Sequence, residues 1–154
     1  MEPRTSPPHR RLAALRALRE AGIPAGVMAA PMIPGLNDHE MPSILAAAGE
    51  AGALFAGYVP VRLPHGVSGL FEQWLEEHYP GRKEKILNRI RDMRGGKLND
   101  PNFGSRMRGS GIWAEQMSAF FEAGCRKAGI KNDFPGLSTK HFRRSGEQLM
   151  LFST

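Results

Sequence analysis

Two uninterrupted runs of small and apolar residues dominate the first half of this sequence. The first run covers residues 25–33, and the second covers residues 54–63 and contains a single charge, Arg62. Runs without polar alternation are typical of strands buried in a parallel sheet. Residues 41–51, between them, have a helical pattern. The order strand, helix, strand predicts a parallel crossover, which would bring Arg62 and the turn at residues 34–38 to the same edge of the sheet.

Further segments carry apolar residues at helical spacing. The first helix is predicted over residues 5–22, with Ser6 as its N-cap and Pro7 at its first position. Asn37 or Asp38 is predicted to cap the helix between the two strands. Three more apolar stripes predict three more helices. They comprise Val67, Leu70, Phe71, Trp74 and Leu75; Ile86, Leu87, Ile90 and Met93; and Trp113, Met117, Phe120, Phe121, Gly124, Cys125 and Ala128.

The turn after the first strand resembles a known enzyme family. Pro31-x-Ile33-x-Gly35-x-x-Asp38 is similar to the Gly-x-Ile-x-Gly-x-x-Glu element on the fifth barrel strand of radical S-adenosylmethionine (SAM) enzymes, although Pro31 and Asp38 replace its first Gly and its Glu. Flanking stretches resemble one group of that family, the proteins similar to spore photoproduct lyase, often labelled DNA repair photolyase-like. These stretches are residues 1–6, 21–24, 94–98 and 103–109.

The resemblance covers most of residues 1–130 and corresponds to the C-terminal half of such an enzyme. It implies an α/β fold: a partial (β/α) barrel of the radical SAM type, with about two parallel strands and flanking helices. Residues 1–80 would belong to the barrel, and residues 81–130 would form a basic helical and loop extension. Residues 131–154 are rich in Pro, Gly, Ser, Thr and charged residues without periodicity, so we expect a flexible tail there. The resemblance also implies a SAM-binding edge. Its cofactor-binding candidates are Ile33, Pro34, Gly35, Asp38 and Arg62.

The iron–sulfur cluster of that family needs residues that this sequence does not contain. The family binds a 4Fe–4S cluster through Cys-x-x-x-Cys-x-x-Cys, because three thiolates leave one iron free to chelate SAM. This chain has one cysteine, Cys125, on an apolar helical stripe where a thiol acts as a small hydrophobe. We therefore expect the missing N-terminal half of the barrel to supply the cluster, and this chain alone to be inactive. The five histidines show no metal-ligand spacing, and no metal site is predicted.

The net charge of +6 is concentrated in one region of the chain. Residues 82–108 contain nine Lys or Arg residues against three Asp or Glu residues, an excess equal to that of the whole chain. Such a region can neutralise the phosphates of DNA or RNA, or it can be a solvated surface that serves only solubility. The nucleic-acid-binding candidates are Arg89, Arg94, Lys97, Arg106 and Arg108.

The end of the chain carries a second resemblance. Residues 148–152, Gln-Leu-Met-Leu-Phe, are similar to the peptide by which bacterial DNA-repair and replication proteins dock on the sliding clamp. This resemblance implies a clamp contact through Gln148, Leu151 and Phe152, although the same side chains could instead fold back onto the domain. No apolar run is long enough for a membrane span and no secretory signal is present, so we expect a cytoplasmic protein without a membrane partner.

Three functions are compatible with these patterns. The first is the C-terminal portion of a radical SAM enzyme, lyase-like by resemblance, that acts on nucleic acid or another substrate. The second is a non-catalytic module that binds nucleic acid through the basic region. The third is a degenerate remnant without activity. A Cys-x-x-x-Cys-x-x-Cys motif encoded immediately upstream would select the first function.

Overall fold

Helices and parallel strands alternate along the first half of the chain, as the sequence predicts. The computed structural model describes residues 4–131, 136 and 138–140, and the elements in these ranges form an α/β arrangement. Short 3-10 turns cover Asp38–Glu40 and Pro80–Arg82. The main elements are α1 (Pro8–Glu20), β1 (Gly26–Met32), α2 (Met41–Glu50), β2 (Phe55–Pro60), α3 (Val67–His78), α4 (Lys83–Met93) and α5 (Ile112–Ala128).

The two strands are parallel neighbours, which confirms the prediction from their apolar runs. Gly26 lies opposite Phe55, and the register is regular until it shifts between Ala29 and Met32. Backbone hydrogen bonds continue past the ends of the strands, because the Val61 N–H donates to the Met32 carbonyl at 2.8 Å. β1 and β2 are each shorter than the apolar run that predicted them, but they occupy its centre.

Helices cover one face of this sheet. Ala29 of β1 and Tyr58 of β2 pack in a core with residues of α2 and α5, and the ring centroids of Tyr58 and Phe121 are 4.8 Å apart. On the opposite face, Met28 is 57% exposed and its side chain lies across Gly57. Among the described residues the sheet is therefore packed on one side and open on the other.

A second core lies beyond the C-terminal ends of the strands. Ile33 and Leu63 follow β1 and β2 and pack with buried residues of α3 and α4. The predicted α4 stripe of Ile86, Leu87, Ile90 and Met93 is buried along its whole length. The predicted α3 stripe was too wide, since Phe71 and Leu75 are buried whereas Val67 and Leu70 are exposed. This second core fixes α4 beside the edge where both strands end.

Two predicted helix caps were wrong. Helix α1 begins at Pro8 with Pro7 as its N-cap residue, one position later than predicted, and the Ser6 carbonyl instead accepts a hydrogen bond from Arg11. Neither Asn37 nor Asp38 caps α2, whose N-cap residue is Glu40, without a side-chain hydrogen bond. Oδ1 of Asn37 instead accepts from the Ile33 N–H at 2.7 Å, and its amide donates to the Pro31 carbonyl at 3.1 Å. Asn37 therefore closes the turn after β1, because a short amide side chain bonds the neighbouring backbone as readily as a helix terminus.

Candidate functional site

Two arginines cover the turn that follows β1. Gly35 in this turn has a φ of +81°, a conformation that favours glycine, and a Cβ atom there would lie 2.7 Å from Nη1 of Arg89. Arg82 donates a hydrogen bond from Nη2 to the Gly35 carbonyl. The lack of a side chain at Gly35 thus lets a guanidinium group approach the backbone at the C-terminal end of β1.

Helix α5 fixes the position of Arg89. Its guanidinium carbon lies 3.9 Å from the centroid of the Trp113 ring, a cation–π contact. The indole Nε1 of Trp113 donates to Oδ2 of Asp92 at 3.3 Å, which sets the orientation of the ring. The charge of Arg89 is therefore held at the strand edge by contacts between α4 and α5.

Arg94, directly after α4, is only 7% exposed. Its Nη2 donates to the Val61 carbonyl at 3.1 Å and its Nη1 donates to the Arg106 carbonyl at 2.6 Å. Burial lowers the pKa of Arg94, and Arg62 acts in the same direction, whereas the Asp100 carboxylate opposes them. Arg94 thus fastens the segment at residues 94–111, which we call the basic loop, to the end of β2.

Arg62 and Arg106 meet Arg94 at this point. Nη1 of Arg62 lies 3.8 Å from the Met107 sulfur. Three buried polar atoms here have no hydrogen-bond partner within the described part of the chain: Nε of Arg62, Nε of Arg106 and Oδ1 of Asn99. The two Nε atoms are donors, and a buried donor without a partner is costly, whereas Oδ1 of Asn99 is an acceptor. We use the name arginine edge for Arg62, Arg82, Arg89, Arg94 and Arg106.

Turns centred on Asp100 organise the basic loop. Its carboxylate accepts hydrogen bonds from the Ser105 hydroxyl and, at 2.9 Å, from the Asn102 N–H. These hydrogen bonds lower the pKa of the Asp100 carboxyl. The bond from the Ser105 hydroxyl has the largest effect, followed by the bond from the Asn102 N–H. The Arg106 N–H donates to the Asn102 carbonyl at 3.0 Å and closes the next turn. The loop therefore presents its side chains from a defined backbone.

Phe103 projects from this loop and is 83% exposed. The guanidinium carbon of Arg106 lies 4.7 Å from the centroid of its ring. Sequence reasoning did not include Phe103 among the site residues. The available signal was an aromatic residue set within a basic, glycine-rich stretch, a combination found in proteins that bind nucleic acid.

The predicted cofactor-binding residues lie together at the end of β1 and beside it. Ile33 belongs to the second core and Pro34, the next residue, is also buried, so both could only form an apolar floor. Gly35, Asp38 and Arg62 are half-buried, and Oδ1 of Asp38 accepts from the His39 N–H at 3.1 Å. The turn and Arg62 thus lie at the same edge of the sheet, where both strands end.

The predicted nucleic-acid-binding residues divide into two groups. Arg89, Arg94 and Arg106 belong to the arginine edge, whereas Lys97 and Arg108 are exposed on the basic loop. The structure therefore places Arg62, predicted as a cofactor ligand, at the same edge as three residues predicted to contact nucleic acid. The predicted clamp contacts Gln148, Leu151 and Phe152 lie outside the described residues.

Cys125 lies inside the first core. It is 4% exposed on α5, and burial raises the pKa of its thiol. Among the residues that the structure describes, no three His, Cys, Asp or Glu side chains are grouped so that they could hold a metal ion. The described residues do not fit a 4Fe–4S cluster, which needs several thiolates. No helix in the described ranges is long and apolar enough to cross a membrane.

These features define an α/β protein whose parallel strands end at an arginine-rich edge. No protein family model matches the chain, and no solved structure matches it. The chain is 30% identical over 111 residues to the uncharacterized protein Rv2578c of Mycobacterium tuberculosis, and to the same extent to the uncharacterized protein Mb2609c of Mycobacterium bovis. The alignment covers 70% of this chain and 32% of each relative, so the matched stretch spans about a third of those proteins.

Proposed function

We propose that this chain is the C-terminal portion of a radical SAM enzyme and forms part of the wall of a (β/α) barrel. The supporting observation is the one-sided packing of the sheet. Ala29 and Tyr58 face helices, whereas Met28 and Gly57 lie on an open face. A barrel wall has this property, because its helices lie outside and only the rest of the barrel closes its inner face.

The position of the candidate site agrees with this proposal. Active sites of such barrels lie at the C-terminal ends of the strands, where the turn at Gly35 and Arg62 are found. Ile33 and Pro34 would form the floor under the adenine of SAM, and Arg62 would bind an anionic group of SAM or of the substrate. Bound SAM supplies a 5′-deoxyadenosyl radical when it is reductively cleaved in such enzymes. The residues of this chain would bind and orient it.

The cluster must come from another segment in this proposal. The mycobacterial relatives are about three times as long as the stretch that matches this chain, which leaves room for the remainder of a barrel. The upstream sequence is therefore the first test. A Cys-x-x-x-Cys-x-x-Cys motif is expected there, in frame or in a separate chain.

The biochemical test combines both segments. The upstream segment and this chain are co-expressed, reconstituted anaerobically with iron and sulfide, and assayed for 5′-deoxyadenosine. We expect the product from the combination and from neither segment alone, and a lower yield with Arg62→Gln. Arg16→Gln, on exposed α1, is the matched control. An upstream sequence without the motif, or equal yields for both variants, would contradict the proposal.

The arginine edge favours a second function, non-catalytic binding of nucleic acid. Arg62, Arg89 and Arg94 gather near the strand ends, and the Asp100 carboxylate is a counter-charge to Arg94. Phosphate binding releases counterions, so affinity should fall steeply as salt increases. Charge reversal at Arg89, Lys97 and Arg108 should reduce the affinity and its salt slope. Reversal at Arg10, Arg11 and Arg16 of α1 is the control, and an equal effect of both triple variants would contradict a defined interface.

A further inference from the structure

We infer that Phe103 and Arg106 form a stacking platform for an unpaired nucleobase, so that the arginine edge takes single-stranded nucleic acid. The inference rests on the proposed binding of nucleic acid. Phe103 is 83% exposed, and a guanidinium group covers one face of its ring. The uncovered face is available to a base, which would extend a stack of base, phenyl ring and guanidinium.

The platform is held in place before any ligand binds. The Asp100 carboxylate accepts hydrogen bonds from Asn102 and Ser105, which flank Phe103 in the chain. The Arg106 carbonyl also accepts a hydrogen bond from the buried Arg94 side chain. Affinity rises when the binding conformation is already formed, because less conformational entropy is lost. A large exposed ring on a fixed backbone is therefore suited to binding, whereas a ring on an unstructured segment would lose more conformational entropy when it bound.

Charges next to the ring favour a polyanion as the occupant. The Arg106 guanidinium lies on the ring, and Lys97 and Arg108 are exposed on the same loop. Phosphates could be bound by these cations while the base lies on Phe103. A duplex would satisfy only the charges, since its bases are stacked inside the helix. The platform thus predicts a preference for single strands over duplexes of equal length.

The test compares three probes of about 12 nucleotides, within the range of single-stranded binding sites. They are a labelled thymine strand, a strand of the same length made of abasic sites, and a duplex. In fluorescence anisotropy, we expect the wild-type chain to bind the thymine strand most tightly. Phe103→Ala should weaken that complex by about 5- to 150-fold, the range that corresponds to one stacked base. It should leave the abasic complex and the salt slope unchanged.

Three variants make the outcome decisive. Phe103→Tyr should retain binding, and Leu70→Ala, at a 67% exposed apolar position on α3, should have no effect. Arg108→Gln should weaken the thymine and abasic complexes equally. If the wild-type chain binds none of the probes, the nucleic-acid function itself is overturned. If it binds them but Phe103→Ala weakens all complexes equally or none, only the stacking platform is overturned, and an apolar protein anchor becomes the better account of Phe103.

Discussion

Nη2 of Arg94 donates a hydrogen bond at 3.1 Å to the carbonyl of Val61, so a buried cation at the end of α4 caps the backbone just beyond β2. The same guanidinium binds the Arg106 carbonyl. One side chain therefore links the sheet to the basic loop. Its planar fork reaches two carbonyls at once, which an ammonium group at the end of a lysine cannot reproduce with the same geometry.

We expect Arg94→Lys to destabilise the protein although it keeps the charge. At least one buried carbonyl would lose its donor, at a cost of about 1–3 kcal/mol. The free energy of unfolding from chemical denaturation measures this loss. Lys97→Arg, at an exposed position nearby, should be neutral. Equal stability of Arg94→Lys and the wild-type protein would show that the two hydrogen bonds do not hold the loop.

The order of the basic loop should depend on pH through Asp100. Hydrogen bonds from Ser105 and Asn102 lower the pKa of its carboxyl below the ordinary value of 3.8. A depressed pKa means that the ionised form is stabilised in the folded state. That stabilisation is present above pH 3.8 and is lost as pH falls through the lowered pKa.

Hydrogen exchange of the Asn102 amide measures this effect. Protection should be constant between neutral pH and pH 3.8 once intrinsic exchange rates are corrected, and should fall in stronger acid. Asp100→Ala, which removes the acceptor, should show weak protection at every pH. Protection that is unchanged by the substitution would mean that the turns form without the carboxylate.

Cys125 should be nearly inert in the folded protein. Its thiol is buried and its pKa is raised by burial, so little thiolate is available to react. Labelling with a maleimide at neutral pH should be slow, and should become fast in denaturant. After anaerobic reconstitution of this chain alone, no charge-transfer absorption band is expected. Rapid labelling of the native chain, or a band that disappears in Cys125→Ala, would contradict this prediction.

The C-terminal peptide gives a prediction that is independent of the fold. If residues 148–152 dock on a sliding clamp, Leu151→Ala combined with Phe152→Ala should abolish that binding and leave the melting temperature unchanged. Surface plasmon resonance with the cognate clamp and thermal denaturation measure the two quantities. If the melting temperature falls instead, the two side chains pack on the domain. If the wild-type chain shows no clamp binding, the docking hypothesis fails.

The sequence was sufficient for the elements whose signals are local. The apolar runs predicted both strands and their parallel pairing, and the spacing of Ile86, Leu87 and Ile90 predicted the buried side of α4. Periodicity is informative there because the same residues define the element and its packing. The N-cap of α1 was misplaced by one residue, since adjacent prolines offered two possible starts.

The site depended on contacts between distant segments. Arg94 is one of many basic residues in its region, and only the fold shows that its guanidinium is buried against Val61, 33 positions earlier in the chain. The position of Phe103 likewise depends on Asp100 and Arg106. Charge patterning could identify the region but could not distinguish a structural arginine from an exposed one. Asn37 was misassigned because a cap and a closed turn use the same amide chemistry.

Met28 on the open face of the sheet provides a chemical probe for whatever covers that face. An exposed thioether is oxidised to a polar sulfoxide, whereas buried methionines such as Met32 and Met41 react slowly. Brief peroxide treatment followed by mass spectrometry would therefore record the accessibility of Met28. Met107, exposed on the basic loop, gives an internal reference. If Met28 is oxidised more slowly when a partner segment is added, while the oxidation rate of Met107 is unchanged, that segment covers the open face of the sheet.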